Sequence, residues 1–430
     1  MKKKIFVSAF SCMPHMGSEP GVGWHWIIEM SKYFELWVLV HKEPIDDIEE
    51  YARKKGIDAK IHFIYFDIPF NTLFFKNGKF RWVRLYYVLW TILANKIVKR
   101  VMIDNCVEIF HNLTFGNAIW PVSRYGQKKF FIWGPIGGVE TIPAEFTRKY
   151  NWKSRCIEAV RRVIVKLLKF NIGFIRRCKN ADLILCKTDD MLNAICIISP
   201  RHNNAWMYTV KICYRGKVKL CTDVAVEYKD SCNFQLKAKK DNKIRLLSVG
   251  RLDGWRGFDL LIEAFANVIA IDSNFRLTIL GDGLEKVNLL NLIHKKGLSD
   301  KIKLKGNVPI DKYNDYIQNC DVVVNACLKE GAVTVSFDSM RYGKPLVCID
   351  SGGFTKYFEA DYAIVLPRVH RQELISSLSD ALLKMRDPTL RENMGRKAKG
   401  ASNLFTWKQK GMIISNLINS ALADSQMNTL

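Results

Sequence analysis

Glu330 and Asp338 stand eight positions apart in "KEGAVTVSFDSMRYGKPLV". Two acids so close in sequence raise acid–base chemistry first. A helix turns ~100° per residue, so two helical side chains eight positions apart point ~80° away from each other. Such a pair does not clasp one bond from both sides, which excludes a hydrolase dyad. Anion binding is the other chemistry on offer. Gly331, Ala332, Val333 and Thr334 read as the opening of a helix. The first N–H groups of a helix lack intrahelical partners, and small residues let a phosphate approach them. Arg251 and Arg256, one just after a strand and one in the next loop, bring matching charge, and a guanidinium grips phosphate bidentately. On composition alone the same arginines read as solvent-facing loop residues. His111 follows a strand end and by itself reads as an ordinary histidine of the core or the surface. Gly17, Gly21 and Gly23 lie between a strand and a helix, where a bare backbone admits a ligand closely. Their spacing is not the dinucleotide fingerprint. Gly134, Gly137 and Gly138 form a second tight turn, followed by Glu140.

These residues need elements to hold them. "KIFVSAF", "ELWVLVHK", "IHFIYFDI", "CVEIFHNL", "KKFFIWGPIGG" and "ADLILCKT" read as strands, and Gly21–Phe34 reads as a helix. After Lys243 the alternation resumes with "KIRLLSVG", "FRLTILGDG", "KIKLKGNVP", "DVVVNAC", "PLVCIDSGG" and "YAIVLP" as strands between helices. Apolar strands without polar alternation predict parallel sheets covered on both faces. The fold class expected is α/β, with two doubly wound, Rossmann-like domains in tandem. The boundaries expected are 1–205 and 206–405, with a last helix over 406–430 packing back toward the first domain. The first short strands of the second domain are expected within Met207–Phe234. Folds of this kind bind ligands at the carboxyl ends of their strands, so a cleft between the domains is the expected site.

The chain of 430 residues suits two such domains. Its 66 Lys and Arg against 42 Asp and Glu give a formal net charge of +24, which calls for an anionic partner. No zinc-finger spacing or arginine-rich tract is present, so nucleic acid is not expected. The twelve cysteines form no C-x-x-C pair and read as buried thiols of a reducing compartment. The basic start "MKKKIFVSAF" reads as a first buried strand in preference to a leader. No run of ~20 apolar residues predicts a spanning helix.

The motifs together resemble a known family. "VGRLDGWRGFDLLIEAF" (Val249–Phe265) is similar to the strand–loop–helix of retaining, nucleotide-sugar-dependent glycosyltransferases of the GT-B fold, the group 1 or family 4 type. "LTILGDG", "IKLKGNVP" and the segment from Asn325 to Gly353 follow in that family's order, the last resembling its E-x7-E segment. "GSEPGVGW", "HNLTFGN" and "FIWGPIGGVETIP" resemble a bacterial subgroup.

The resemblance implies transfer of a sugar from a UDP-, GDP- or ADP-sugar to a glycan or polyprenyl-linked acceptor, with retention at the anomeric carbon. It places Arg251, Arg256 and the Gly331–Thr334 helix start on the diphosphate, and Glu330 on the sugar hydroxyls. Asp338 takes the place of a glutamate that binds ribose, one methylene shorter. Arg256 stands where the family has lysine. His111 would orient the sugar and stabilise the transition state. Asn307 and Val308 of "IKLKGNVP", Gly17, Gly21, Gly23, Gly137 and Gly138 would line the substrates. Glu140 either meets the acceptor or is surface charge. The leaving phosphate would help deprotonate the acceptor, so no cofactor or metal is expected, in keeping with the lack of a well-placed D-x-D or any H-E-x-x-H.

Two basic stretches, Lys76–Arg100 and Lys153–Lys179, interleave Lys and Arg with aromatic and aliphatic residues. This pattern suits an anionic membrane surface, and both stretches are expected in the first domain. The reading is a cytoplasmic enzyme, peripheral on the inner face of a bacterial membrane and active in surface-polysaccharide synthesis. Its rivals are a sugar-nucleotide epimerase of the same fold, a non-catalytic nucleotide-sugar-binding protein, and a nucleic-acid-binding protein.

Overall fold

The computed structural model of the chain describes residues 2–57, 59–69, 71–76, 79–80, 82–197, 217–227, 241–329 and 334–427. They form two compact units. The first takes in 1–139, 167–223 and 407–430, and the second 140–166 and 224–406.

In the first unit, strands β1 (Lys4–Ser8), β2 (Glu35–His41) and β3 (Ile61–Phe66) precede a two-residue pair, β4 (Phe75–Lys76) and β5 (Lys79–Phe80). Strands β6 (Ile109–Asn112), β7 (Phe130–Ile136), β8 (Leu183–Cys186) and β9 (Val218–Leu220) follow. Among the described residues the main sheet is parallel, in the order β3-β2-β1-β6-β7-β8-β9. Its interior strands, such as Phe6–Val7, Leu36–Val40 and Leu183–Cys186, bury both faces, which is why they carry uninterrupted apolar runs. The order reverses between β1 and β6. The segments that leave the carboxyl ends of these two strands carry Gly17, at the cap of the helix Ser18–Ser31, with Gly21 and Gly23 in its first turns, and the residues after His111. Val218–Leu220 corrects one expectation: it pairs with β8 and completes the first sheet, so it does not begin the second domain. The last helix, Trp407–Met427, also groups with the first unit. Gly411 packs on Glu29 of the helix Ser18–Ser31, where a Cβ would come 2.9 Å from the Glu29 Cβ.

In the second unit, β10 (Ile244–Val249), β11 (Phe275–Leu280), β12 (Ile302–Leu304), β13 (Val322–Asn325), β14 (Leu346–Ile349) and β15 (Ala363–Leu366) form a parallel sheet in the order β12-β11-β10-β13-β14-β15. The reversal falls between β10 and β13. Two segments therefore leave the carboxyl edge side by side: Gly250–Gly257 after β10, and the residues from Ala326 onward after β13. This is where an open α/β sheet binds its ligand. Helix Phe258–Ile271 packs its Leu261, Phe265 and Val268 into the core beneath.

A second correction concerns 140–166, which belong to the second unit although they precede β8 in sequence. Ile142, Phe146 and Tyr150 pack into the same core as β10 and β11. The basic stretch from Lys153 is thus split between the units and is not a first-domain feature. Among the described residues no helix is long and apolar enough to cross a membrane. Cys12, Cys178, Cys186, Cys221, Cys320, Cys327 and Cys348 are buried free thiols, whereas Cys106 and Cys156 are exposed.

Candidate active site

The loop after β10 is shaped by its glycines. Gly257 has φ +69°, and a Cβ there would run into the Ala326 carbonyl, so the glycine after Arg256 is required for the two switch-point segments to meet. Gly281, at φ +136°, lies on the Gly250 carbonyl in the same manner. The Leu328 N–H donates to the Trp255 carbonyl at 3.0 Å and closes the contact. Arg256 ends the short turn Gly254–Arg256. Its guanidinium stacks 4.4 Å from the Trp255 ring centroid, and its side chain lies along the bare Gly250. Arg251 is exposed and held by Asp253, its Nε donating to Oδ2 at 2.7 Å. Both arginines thus stand at the carboxyl edge of β10, with fixed neighbours. The Gly281 N–H donates to the Gly306 carbonyl at 2.8 Å, which brings Asn307 and Val308 to that same edge. Asn307 is exposed and Val308 half-buried. Thr334 is exposed at the start of helix Thr334–Arg341. Glu330, Gly331, Ala332 and Val333 lie outside the described residues.

Residues 232–401 match the family model described as glycosyl transferases group 1. The matched residues lie within the second unit. Over 180 residues, 40% of this chain, the sequence is 29% identical to an N-acetylgalactosaminyltransferase of Campylobacter jejuni that acts on a diphospho-undecaprenol-linked sugar. The chain spans 47% of that relative's length, and about two-fifths of others it matches. The fold of the whole chain resembles sucrose-phosphate synthase from Thermosynechococcus elongatus, with a TM-score of 0.65 at 13% identity over 98% of this chain and 100% of that one. It also resembles the Anabaena protein HepE solved with UDP and glucose, with a TM-score of 0.58 at 16% identity over 97% and 100%. The architecture is that of the GT-B glycosyltransferases.

Asp338 of the second unit is already engaged. The Tyr313 hydroxyl donates to its Oδ2 at 2.6 Å, leaving Oδ1 as the freer oxygen. Burial lifts its carboxyl from 3.8 to about 6, against the Tyr313 hydrogen bond and Arg341, while Glu227 adds to the rise. Between these values the folded chain holds a proton that the unfolded chain has lost. Stability therefore falls as pH rises through this window, and the deficit is complete above it. Asp338→Asn keeps an acceptor for Tyr313 and removes the charge. It should raise the stability of this unit by about 2–3 kcal/mol at pH 7.5 and by little below pH ~4, measured by unfolding at both pH values. Equal stabilisation at both would show that the carboxylate is not strained.

Glu140, left open between acceptor contact and surface charge, is neither a surface residue nor loose. It is 6% exposed, its carbonyl accepts from Arg161 Nε at 2.9 Å, and its carboxylate lies 3.5 Å from the same guanidinium. Beside it is a feature that sequence reasoning missed. Lys329 Nζ donates to Glu158 Oε1 and Oε2 at 2.7 and 2.6 Å, with both side chains 4% exposed. Burial lowers the lysine's pKa, as does Arg161, whereas Glu158 opposes both. Nothing in the spacing of residues 171 positions apart signals this pair.

In the first unit His111 is fully buried in β6. Its Nε2–H donates to the Gly134 carbonyl at 2.7 Å, and Nδ1 has no hydrogen-bond partner among the described residues. Burial pushes the imidazole down to about 4, so the ring is neutral at neutral pH. The ring packs against Trp26 and is not presented to solvent. The glycines also divide. Side chains at Gly21 and Gly23 would strike the Met16 and Ser11 carbonyls, so these two glycines serve the packing of a helix on its loop. Gly17 alone faces open space. Gly138, at φ +106°, lies against the Asn117 side chain, and the Gly137 N–H donates to the Gly116 carbonyl at 3.1 Å.

Proposed function

We propose that the protein transfers a sugar from a nucleoside-diphosphate sugar to a glycan or polyprenyl-linked acceptor, with retention of anomeric configuration, in surface-polysaccharide synthesis. The observation that carries this reading is the pairing of the Arg251–Arg256 loop with the post-β13 segment at the switch point of a group 1 domain. Charge that develops on a departing diphosphate is stabilised best by fixed donors that need no rearrangement. Arg256 on Trp255 and Arg251 on Asp253 are such donors. The hydroxyl-binding acid is Glu330, and Asp338 through Oδ1 serves the ribose. The names of the relatives support the substrate class: one acts on a diphospho-undecaprenol-linked sugar, and one structure holds UDP and glucose.

The first-unit helix Val83–Asp104 supports a peripheral place on a cytoplasmic membrane face. It exposes Leu85, Leu89, Ile92 and Leu93 beside Arg84, Lys96, Lys99 and Arg100. The test is incubation with UDP-, GDP- and ADP-sugars together with lipid-linked acceptor extracts. Release of nucleoside diphosphate with sugar on the lipid is the result expected. A changed sugar still bound to its nucleotide would mark an epimerase, and no turnover with any donor would overturn the reading.

A further inference from the structure

The helix Trp152–Leu167 is packed inside out. Its buried residues are Ser154 and Glu158, with Arg161 and Arg162 half-buried beside them. Its exposed residues include Ile157, Val160, Val163, Ile164 and Leu167, between 40% and 58% accessible, and Trp152 at 67%. At ~100° per residue these apolar side chains gather on one face, roughly opposite Glu158. A helix that turns its polar side to the protein and its aliphatic side to water lacks a partner for that side.

Charge says which partner. From Trp152 to Asn180 the sequence carries nine Lys and Arg and a single acid. That acid is Glu158, neutralised inside by Lys329. The outer face therefore offers aliphatics and Trp152, flanked by the exposed Lys153, Arg155 and Lys166, with no exposed carboxylate on the helix. An aliphatic stripe with basic flanks fits the interface of an anionic bilayer.

The inner face leads to the donor loop. Glu158 holds Lys329, whose Nζ lies 5.8 Å from the Trp255 ring centroid. The other cation on that ring is Arg256, at 4.4 Å. One helix thus carries an exposed aliphatic surface on one side and, on the other, the anchor of a Glu158–Lys329–Trp255–Arg256 chain.

We propose that Trp152–Leu167 docks on anionic lipid and that the Glu158–Lys329 pair passes this docking to Arg256, so that an anionic surface tightens nucleotide binding. The proposal rests on the donor reading above. Glu158 and Lys329 are positioning residues, since they reach the nucleotide only through Trp255 and Arg256.

The test uses the full chain with phosphatidylcholine vesicles, with and without phosphatidylglycerol. Vesicle binding is read by co-sedimentation, and UDP, GDP and ADP are each titrated in both cases. The wild type should bind only the anionic vesicles, and these should tighten its best nucleoside diphosphate by about fivefold, the low end for coupled sites. V160E/I164E, altered only on the outer face, should lose about tenfold in vesicle binding and keep the lipid-free nucleotide affinity. E158M/K329M replaces both charges by apolar groups and so keeps the fold. It should still bind vesicles, yet show no lipid effect on nucleotide affinity. A wild-type lipid response in E158M/K329M overturns the coupling, and wild-type vesicle binding by V160E/I164E overturns the docking surface. If no nucleoside diphosphate binds with or without lipid, the donor reading itself falls.

Discussion

Arg256→Ala should lower the rate of sugar transfer by about 100- to 1,000-fold, the usual cost of removing one preorganised donor from a developing anion. Arg256→Lys should stay within about tenfold of wild type, because the charge remains and only the bidentate geometry goes. The structure explains why so much rests on one side chain. Arg256 is laid between the Trp255 ring and the bare Gly250 backbone, and Gly257 pins the loop to Ala326. The guanidinium is placed before the substrate arrives, so little ordering entropy is lost on binding. Arg251, exposed and tied to Asp253 alone among the contacts described for its side chain, should cost less on truncation. Glu330→Ala should abolish transfer, because it removes the acid assigned to the sugar hydroxyls. Single-turnover rates at saturating donor separate the cases: an unchanged rate in Arg256→Ala would remove this residue from the reaction.

The second large effect is on stability. Removing one partner of the Glu158–Lys329 pair leaves a buried charge uncompensated, and Glu158→Met or Lys329→Met alone should cost about 3–5 kcal/mol. Replacing both, as in E158M/K329M, should restore most of that loss, because two desolvated charges are exchanged for apolar contacts. Urea unfolding of the four proteins forms a double-mutant cycle, and the expected result is strong non-additivity. Additive losses would mean that the two charges do not see each other. The pair looks expensive for what it stabilises. Its position beneath Trp255 gives a reason for its presence other than stability.

The predictions differ in how far the sequence alone supports them. Arg251, Arg256 and their glycines are legible because a switch-point loop is local: strand, loop and helix are contiguous, and close backbone approach selects glycine at Gly257. The strands are legible because parallel sheets bury both faces and so demand unbroken apolar runs. The site residues of the first unit are less legible. Glycine at Gly21 or Gly23 reads the same whether the space is left for a ligand or filled by a neighbouring carbonyl, and here the Met16 and Ser11 carbonyls fill it. His111 reads the same exposed or buried, and it is buried.

What the sequence by itself determined is the class of fold, the order of its strands along the chain and the donor-side loop, since each depends on neighbours a few residues apart. Tertiary structure alone decided that 140–166 join the second unit, that Val218–Leu220 complete the first sheet, and that Glu158 meets Lys329. It also decided which face of Trp152–Leu167 turns inward. Periodicity reveals that a helix has two unlike faces, but only the surface it packs against selects between them. Here a buried lysine selected the face with the carboxylate.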